Sequence, residues 1–246
     1  PTKKRMQAMI PILEKGRDMA YEASKWVATL PFPEFTRDYH YVCLQHPNEY
    51  AFNEGRIVSN RGLDIAPSEF NATFVESHVQ HSNALHCHFR KDGSCYHMGP
   101  LARFVNNYDQ LSPDTKALAK EIGFDRTVMN PFKSIVARCV ESFEACSEAL
   151  RIARAYEEPD RPDVEVVPRA GEGHAMTEAP RGGLYHRYKL DKEGTILDAQ
   201  LTIPTSQNQA MIEDDLRDFV PKYMHLPDDK LQWHCEQAIR NYDPCI

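Results

Sequence analysis

The sequence predicts a mainly helical fold with a small antiparallel β component, an α+β protein. Three observations carry this. Long apolar stripes recur at helical spacing near the start and over residues 131–156. One strongly alternating hairpin lies over 183–203. Pro- and Gly-rich punctuation separates these elements.

Residues 3–30 predict a helix, because Met6, Met9, Ile10, Leu13, Met19, Ala20, Ala23, Trp26, Val27 and Leu30 fall on one stripe. Pro11 should kink it or start a new helix, and Pro31-Phe32-Pro33 ends it. Met6, Met9, Trp26 and the Cys139/Cys146 stripe are read as core. Short strands are expected at 39–44 and 56–59, and a hairpin over 86–98 around Lys91-Asp92-Gly93. A helix follows from about residue 100 to 107. Ser112-Pro113-Asp114 opens another.

Asn130-Pro131 opens the longest later helix. Asn can cap the free amides and Pro suits the first helical position. Ile135, Val136, Cys139, Val140, Phe143, Cys146 and Leu150 then carry one stripe toward Tyr156. Pro159–Pro168 is a connector. In the hairpin, Asp191-Lys192-Glu193-Gly194 is the turn, and Leu197, Ala199, Leu201 and Ile203 alternate on the return strand. Helices over 208–219 and 227–240 complete the order, and Glu213-Asp214-Asp215 reads as a solvated face. The organisation is one partial domain over 1–246, with a helical region 1–157, a connector 158–170 and a carboxy-terminal part 171–246.

Composition narrows the function. A net charge of −7 argues against nucleic acid as the main partner, since a phosphate-binding surface needs excess Lys and Arg. No run approaches about 18 apolar residues, so no membrane-spanning helix is expected. The basic start, Pro-Thr-Lys-Lys-Arg, lacks the apolar core of a signal peptide, and a start at Pro1 reads as a chain cut from something longer. Seven cysteines with no Cys-x-x-Cys fit a reducing, cytoplasmic setting rather than a disulfide scaffold.

Two segments carry chemistry. Cys245 follows Asp243-Pro244, and a thiolate is a strong, soft ligand for nickel and iron. Arg181 lies in Glu178-Ala179-Pro180-Arg181-Gly182, in a turn just before a strand, which would hold its fork of donors rigidly. A third group, His78, His81, His86, His88 and His97 with Cys87 and Cys95, is dense enough to suggest zinc. Its spacings match no tight ligand knuckle, and a strand would put His86 and His88 on one face and Cys87 on the other. Core or surface histidines are the preferred reading.

Glu178–Gly182 and Asp243-Pro244-Cys245, together with Gly99-Pro100-Leu101-Ala102-Arg103, Gly171-Glu172-Gly173 and Pro204-Thr205-Ser206-Gln207-Asn208, make the chain resemble the large subunit of nickel–iron hydrogenases. The resemblance covers essentially the whole chain, as the middle and carboxy-terminal part of that subunit, and implies its helical-bundle core. It implies heterolytic cleavage or formation of H2 at a Ni-Fe(CN)2(CO) centre, a magnesium ion, and electrons passed to an iron–sulfur small subunit in a heterodimer or higher oligomer. It implies that Cys245 is a nickel ligand. Arg181 would stand over the open metal position, near a cyanide. Asp243 and Pro180 would belong to the surround, Thr205 would donate to the other cyanide, and the backbone carbonyl of Leu201 would help to hold magnesium.

The departures are as plain. The amino-terminal Cys-x-x-Cys of that family and the second carboxy-terminal cysteine are absent, and the proton-transfer glutamates cannot be located. The alternative is a non-catalytic scaffold related to the quinone-reductase subunit of respiratory complex I; Cys245 after Asp-Pro speaks against it. Pro-Thr-Ser-Gln-Asn leans toward a cytoplasm-facing enzyme, with any membrane association made through partners.

Overall fold

A computed structural model describes residues 1–50 and 52–244. Helix α1 (Lys3–Ala28) is capped by the Thr2 hydroxyl, which accepts from Arg5 N, and packs along α5 (Ser134–Ala155). Pro11 starts no new helix: α1 runs on through it, and its packing along α5 outweighs one lost backbone bond. The core reading of this stripe is also corrected. Met9 and Trp26 are 45% and 66% exposed, while the Cys139/Cys146 side of α5 is only partly buried.

Among the described residues the strands fall into three small antiparallel sheets. β1 (Val42–Gln45), β2 (Arg56–Ser59) and β3 (Asp64–Ile65) form the first. After the short helix α2 (Phe70–Thr73), β4 (Phe74–Val79) and β5 (Ser82–Phe89) form the second. This hairpin lies upstream of the expected one and turns at Gln80-His81, which carries no Gly or Pro to announce it. The turn at Lys91-Asp92-Gly93 exists, with Gly93 at φ 71° and Asp92 accepting from Ser94; Phe89 N donates to Ser94 O at 2.9 Å, but beyond that bond the chain runs to Tyr41 and forms no further strand on β5.

Helices α3 (Pro100–Asn106) and α4 (Pro113–Glu121) follow as expected, and the Ser112 hydroxyl caps α4. Asn130 accepts from Phe132 N in the single turn that leads into α5. No helix or strand occurs from 157 to 170. The carboxy-terminal sheet has three strands where a two-stranded hairpin is expected: β6 (Gly171–Ala179), β7 (Gly182–Leu190) and β8 (Ile196–Thr202). Polar and Gly-rich β6 gives no alternation to read. On β8 the apolar alternation is real, yet it faces outward; Leu197 and Leu201 are exposed.

Helix α6 (Pro204–Phe219) begins earlier than expected, with Pro204 in the first helical position, and α7 (Asp228–Arg240) packs on it. Two of the apolar clusters concern the site. One gathers Tyr39, Tyr41, Leu101, Phe104, Val136, Met211 and Tyr242; the other gathers Leu44, Phe70, Phe74, Tyr96, Met98, Met176 and Tyr185. Gly99 sits at their seam, between Met98 and Leu101. No helix among the described residues is long and apolar enough to cross a membrane.

Candidate active site

Two backbone turns touch at this seam. One is Gly99-Pro100, opening α3; the other is Pro180-Arg181, joining β6 to β7. Gly99 has φ 111°, and a Cβ there would stand 2.9 Å from Arg181 O. Gly182 has φ 139°, and a Cβ there would stand 2.9 Å from Met98 Cβ. Both positions need glycine twice over, for the left-handed backbone and for the close approach.

Side chains from α3 and α6 lock the turns together. Asn208 Oδ1 accepts from Met98 N at 2.8 Å, and its Nδ2 donates to Met98 O at 3.2 Å and Arg181 O at 3.5 Å. Gln207 Nε2 donates to Gly183 O at 2.6 Å and Thr202 O at 3.2 Å.

Arg103 does more. Its side chain is 3% exposed and forks onto Glu141, with Nε and Nη2 each 2.7 Å from a carboxylate oxygen. Nη1 donates to Glu178 Oε2 at 3.0 Å and Ala179 O at 2.9 Å, and Nη2 donates to Pro180 O at 2.9 Å. One guanidinium therefore holds three consecutive residues, up to the doorstep of Arg181. Burial opposes its charge, but the carboxylates of Glu141 and Glu178 hold its pKa above the ordinary value. Burial pushes the Glu178 carboxyl up against the pull of Arg103, and Leu44 N donates to it at 2.8 Å.

The chain end reaches Arg181 from the other side. Tyr242 is buried and donates to Asp215 Oδ2 at 2.5 Å, which also accepts from Tyr39 at 2.7 Å. The Ser134 hydroxyl donates to Asn241 O at 2.6 Å. Asp243 then takes φ 49°, a left-handed conformation that a short polar side chain tolerates. Arg181 Nε donates to Asp243 O and lies 3.2 Å from its carboxylate, which Arg138 approaches at 3.3 Å. Among the described residues the hydrogen bonds of Arg181 use Nε, and its terminal amino groups meet no acceptor there. A third of the Arg181 side chain is exposed.

Of the residues singled out from sequence, Arg181, Pro180 and Asp243 come together here. Cys245 lies outside the described residues. Thr205 stands in the first turn of α6, on the helix whose Asn208 touches Arg181. Leu201 lies apart on the outer strand β8, opposite His186. Near it, Glu76 of β4 accepts from Thr202 Oγ1 at 2.8 Å and Ser206 Oγ at 2.6 Å. The acidic run on α6 is no solvated face: Asp215 is buried and Glu213 Oε1 lies 2.9 Å from His81 Nε2 and 2.8 Å from His86 Nε2. Sequence reasoning gave no role to Arg103, Glu141, Asn208 or Arg138. The burial of Arg103 had one signal, an arginine set among Leu101, Ala102, Phe104 and Val105.

The donor side of this corner suits a group that presents compact anionic acceptors. Three of the described cysteines are engaged elsewhere: Cys43 with Asn107, Cys87 with Tyr96 and Cys95 with Asp214.

No family model matches the chain. It is 29% identical over 209 residues to the alpha chain of sulfhydrogenase 1 from Pyrococcus furiosus, covering 84% of this chain and 48% of that one. It is 37% identical over 162 residues to an F420-non-reducing hydrogenase iron-sulfur subunit from Archaeoglobus profundus, covering 62% and 32%. In structure it resembles an NAD+-reducing [NiFe]-hydrogenase crystallised in the H2-reduced state, with TM-score 0.80, 20% identity, and 99% of this chain and 59% of that chain covered. The Ni-Fe-Se hydrogenase of Desulfovibrio vulgaris Hildenborough gives TM-score 0.61 at 20% identity, with 100% and 61% covered. The chain spans about half the length, or less, of the first two relatives. The complex I alternative finds no support in these matches.

Proposed function

We propose, from the chain's relation to hydrogenase large subunits over most of its length, that it is the middle and carboxy-terminal part of a nickel–iron hydrogenase large subunit, with a role in the heterolytic cleavage or formation of H2. The observation that carries this is the Arg181–Asp243 corner: a guanidinium whose terminal donors meet no acceptor among the described residues, its turn pinned by Arg103 and Asn208, beside the segment that leads in sequence to Cys245.

When bound, the nickel–iron group supplies the redox and hydride chemistry that amino acid side chains lack. Cys245 would be one of its thiolate ligands, and the others would come from outside these 246 residues. Arg181 would offer its terminal donors to a cyanide, and Asp243 would keep the guanidinium aimed by holding Nε. Thr205 would donate its hydroxyl to the second cyanide. Pro180 would supply an apolar wall, and the backbone carbonyl of Leu201 a magnesium contact. Electrons would pass to an iron–sulfur small subunit, in a heterodimer or a higher assembly, at a cytoplasmic location.

The test is Arg181→Lys in the complex purified from its source. Charge is kept and the fork is lost. H2-dependent dye reduction should fall by about 10²–10³-fold, the cost of losing one preorganised donor, with nickel and iron content unchanged. Equal activity in variant and wild type would remove Arg181 from the site.

A further inference from the structure

Away from that corner, two histidines meet a helix carboxylate. His81 stands in the β4–β5 turn, His86 on β5 and Glu213 on α6. Their potential ligand atoms lie within 4.8 Å of one another. His86 Nε2 is 2.8 Å, and His81 Nε2 2.9 Å, from the same Glu213 oxygen. The His86 side chain is 3% exposed; His81 forms the open rim.

His86 has a polar contact at each ring nitrogen. Its Nδ1 faces Ala84 O at 3.1 Å, which can only accept, so Nδ1 carries a hydrogen. In a neutral imidazole Nε2 then presents a lone pair. That lone pair faces a carboxylate oxygen at 2.8 Å. Two acceptors hold this separation with a proton between them, on the ring or on the carboxyl, or with a metal ion. A ring nitrogen donating to a backbone carbonyl is also how metal-binding histidines are oriented.

The surroundings favour an ion. The His86 ring stacks 6.4 Å from His88, a further imidazole whose buried Nδ1 meets no hydrogen-bond partner among the described residues. A proton serves one nitrogen, whereas one ion draws on His81, His86 and Glu213 together. Three arginines line the neighbouring pocket, and each has its own acid: Arg37 meets Asp214 and Asp215, Arg61 meets Asp38, and Arg217, 3.6 Å from the other Glu213 oxygen, has a shorter contact with Asp214 at 3.2 Å. Beside the cluster opens a pocket of about 520 Å³, also lined by His88, Cys95 and Asp214.

We propose that His81, His86 and Glu213 form a binding site for a divalent transition ion of the zinc class, separate from the Arg181 corner. Two imidazole nitrogens and one carboxylate oxygen are a borderline donor set that zinc accepts, with a further position open to the pocket. The ion would tie the hairpin tip to α6, the helix that carries Thr205 and Asn208. The site does not depend on the dihydrogen chemistry. The histidine pair differs from the one that strand alternation suggests, because His88 gives way to His81 and the third ligand comes from a distant helix.

The test is zinc titration of the purified complex against a chromophoric zinc indicator, with magnesium as control, followed by anomalous diffraction at the zinc edge. Wild type should take up stoichiometric zinc that magnesium does not displace, with the anomalous peak beside His86 Nε2. His81→Ala, a surface change that leaves the fold alone, and Glu213→Gln should each weaken binding at least about tenfold. No zinc uptake by wild type, or equal binding by wild type and His81→Ala, would overturn the site and leave an imidazolium–carboxylate pair. Neither result bears on the nickel–iron reading, whose own test is dye reduction.

Discussion

At the residue scale the site rests on buried charge. Arg103 is surrounded by Glu141, Glu178 and two backbone carbonyls, so its loss leaves two carboxylates uncompensated. Arg103→Met should destabilise the protein by about 3–5 kcal/mol in denaturant unfolding. By contrast, Arg181→Ala should change stability by less than about 1 kcal/mol, since that pair is partly solvated. His97 is packed by Tyr39, Tyr41 and Tyr242, and burial holds its pKa down to about 3. Its unfolded value is 6.5, so below that pH the unfolded chain binds a proton that the folded chain refuses. Stability should therefore fall by roughly 1 kcal/mol per pH unit between about 6.5 and 3. His97→Phe should remove that slope when unfolding is measured at pH 7 and pH 5.

At the scale of elements, the site depends on two turns that need glycine. Gly182→Ala meets Met98 Cβ and Gly99 N and must hold φ 139°. It should cost more than about 1 kcal/mol and lower activity with it, read by thermal unfolding beside dye reduction. The elements themselves were unequally legible. Helices α4 and α5 could be read because caps and a 3.6-residue stripe agree, as Ser112 and Asn130 show. Strand β6 could not, because Gly171, Glu172 and Gly173 carry neither alternation nor β-branched residues. The hairpin was misplaced because Gln80-His81 turns without turn residues, while Lys91-Asp92-Gly93 has them and makes only a loop. Met9 and Trp26 keep helical spacing on α1 and still face outward within these residues.

At the scale of the whole molecule, Glu178, Arg103 and Glu141 converge from three separate elements, as do Arg181, Arg138 and Asp243. No local pattern could pair them, so the motifs were legible and their clamps were not. The same limit hid Glu213 from His81 and His86. We propose that the Arg181 corner lies against a nickel–iron group in the assembled protein. Infrared spectroscopy of the complex purified from its source, in the region of metal-bound CO and cyanide, tests it most directly. CO and cyanide bands in the wild type, with the cyanide bands displaced in Arg181→Lys at unchanged nickel and iron content, are the expected result. A fully matured complex that holds both cysteine pairs and shows no such bands would contradict the claim.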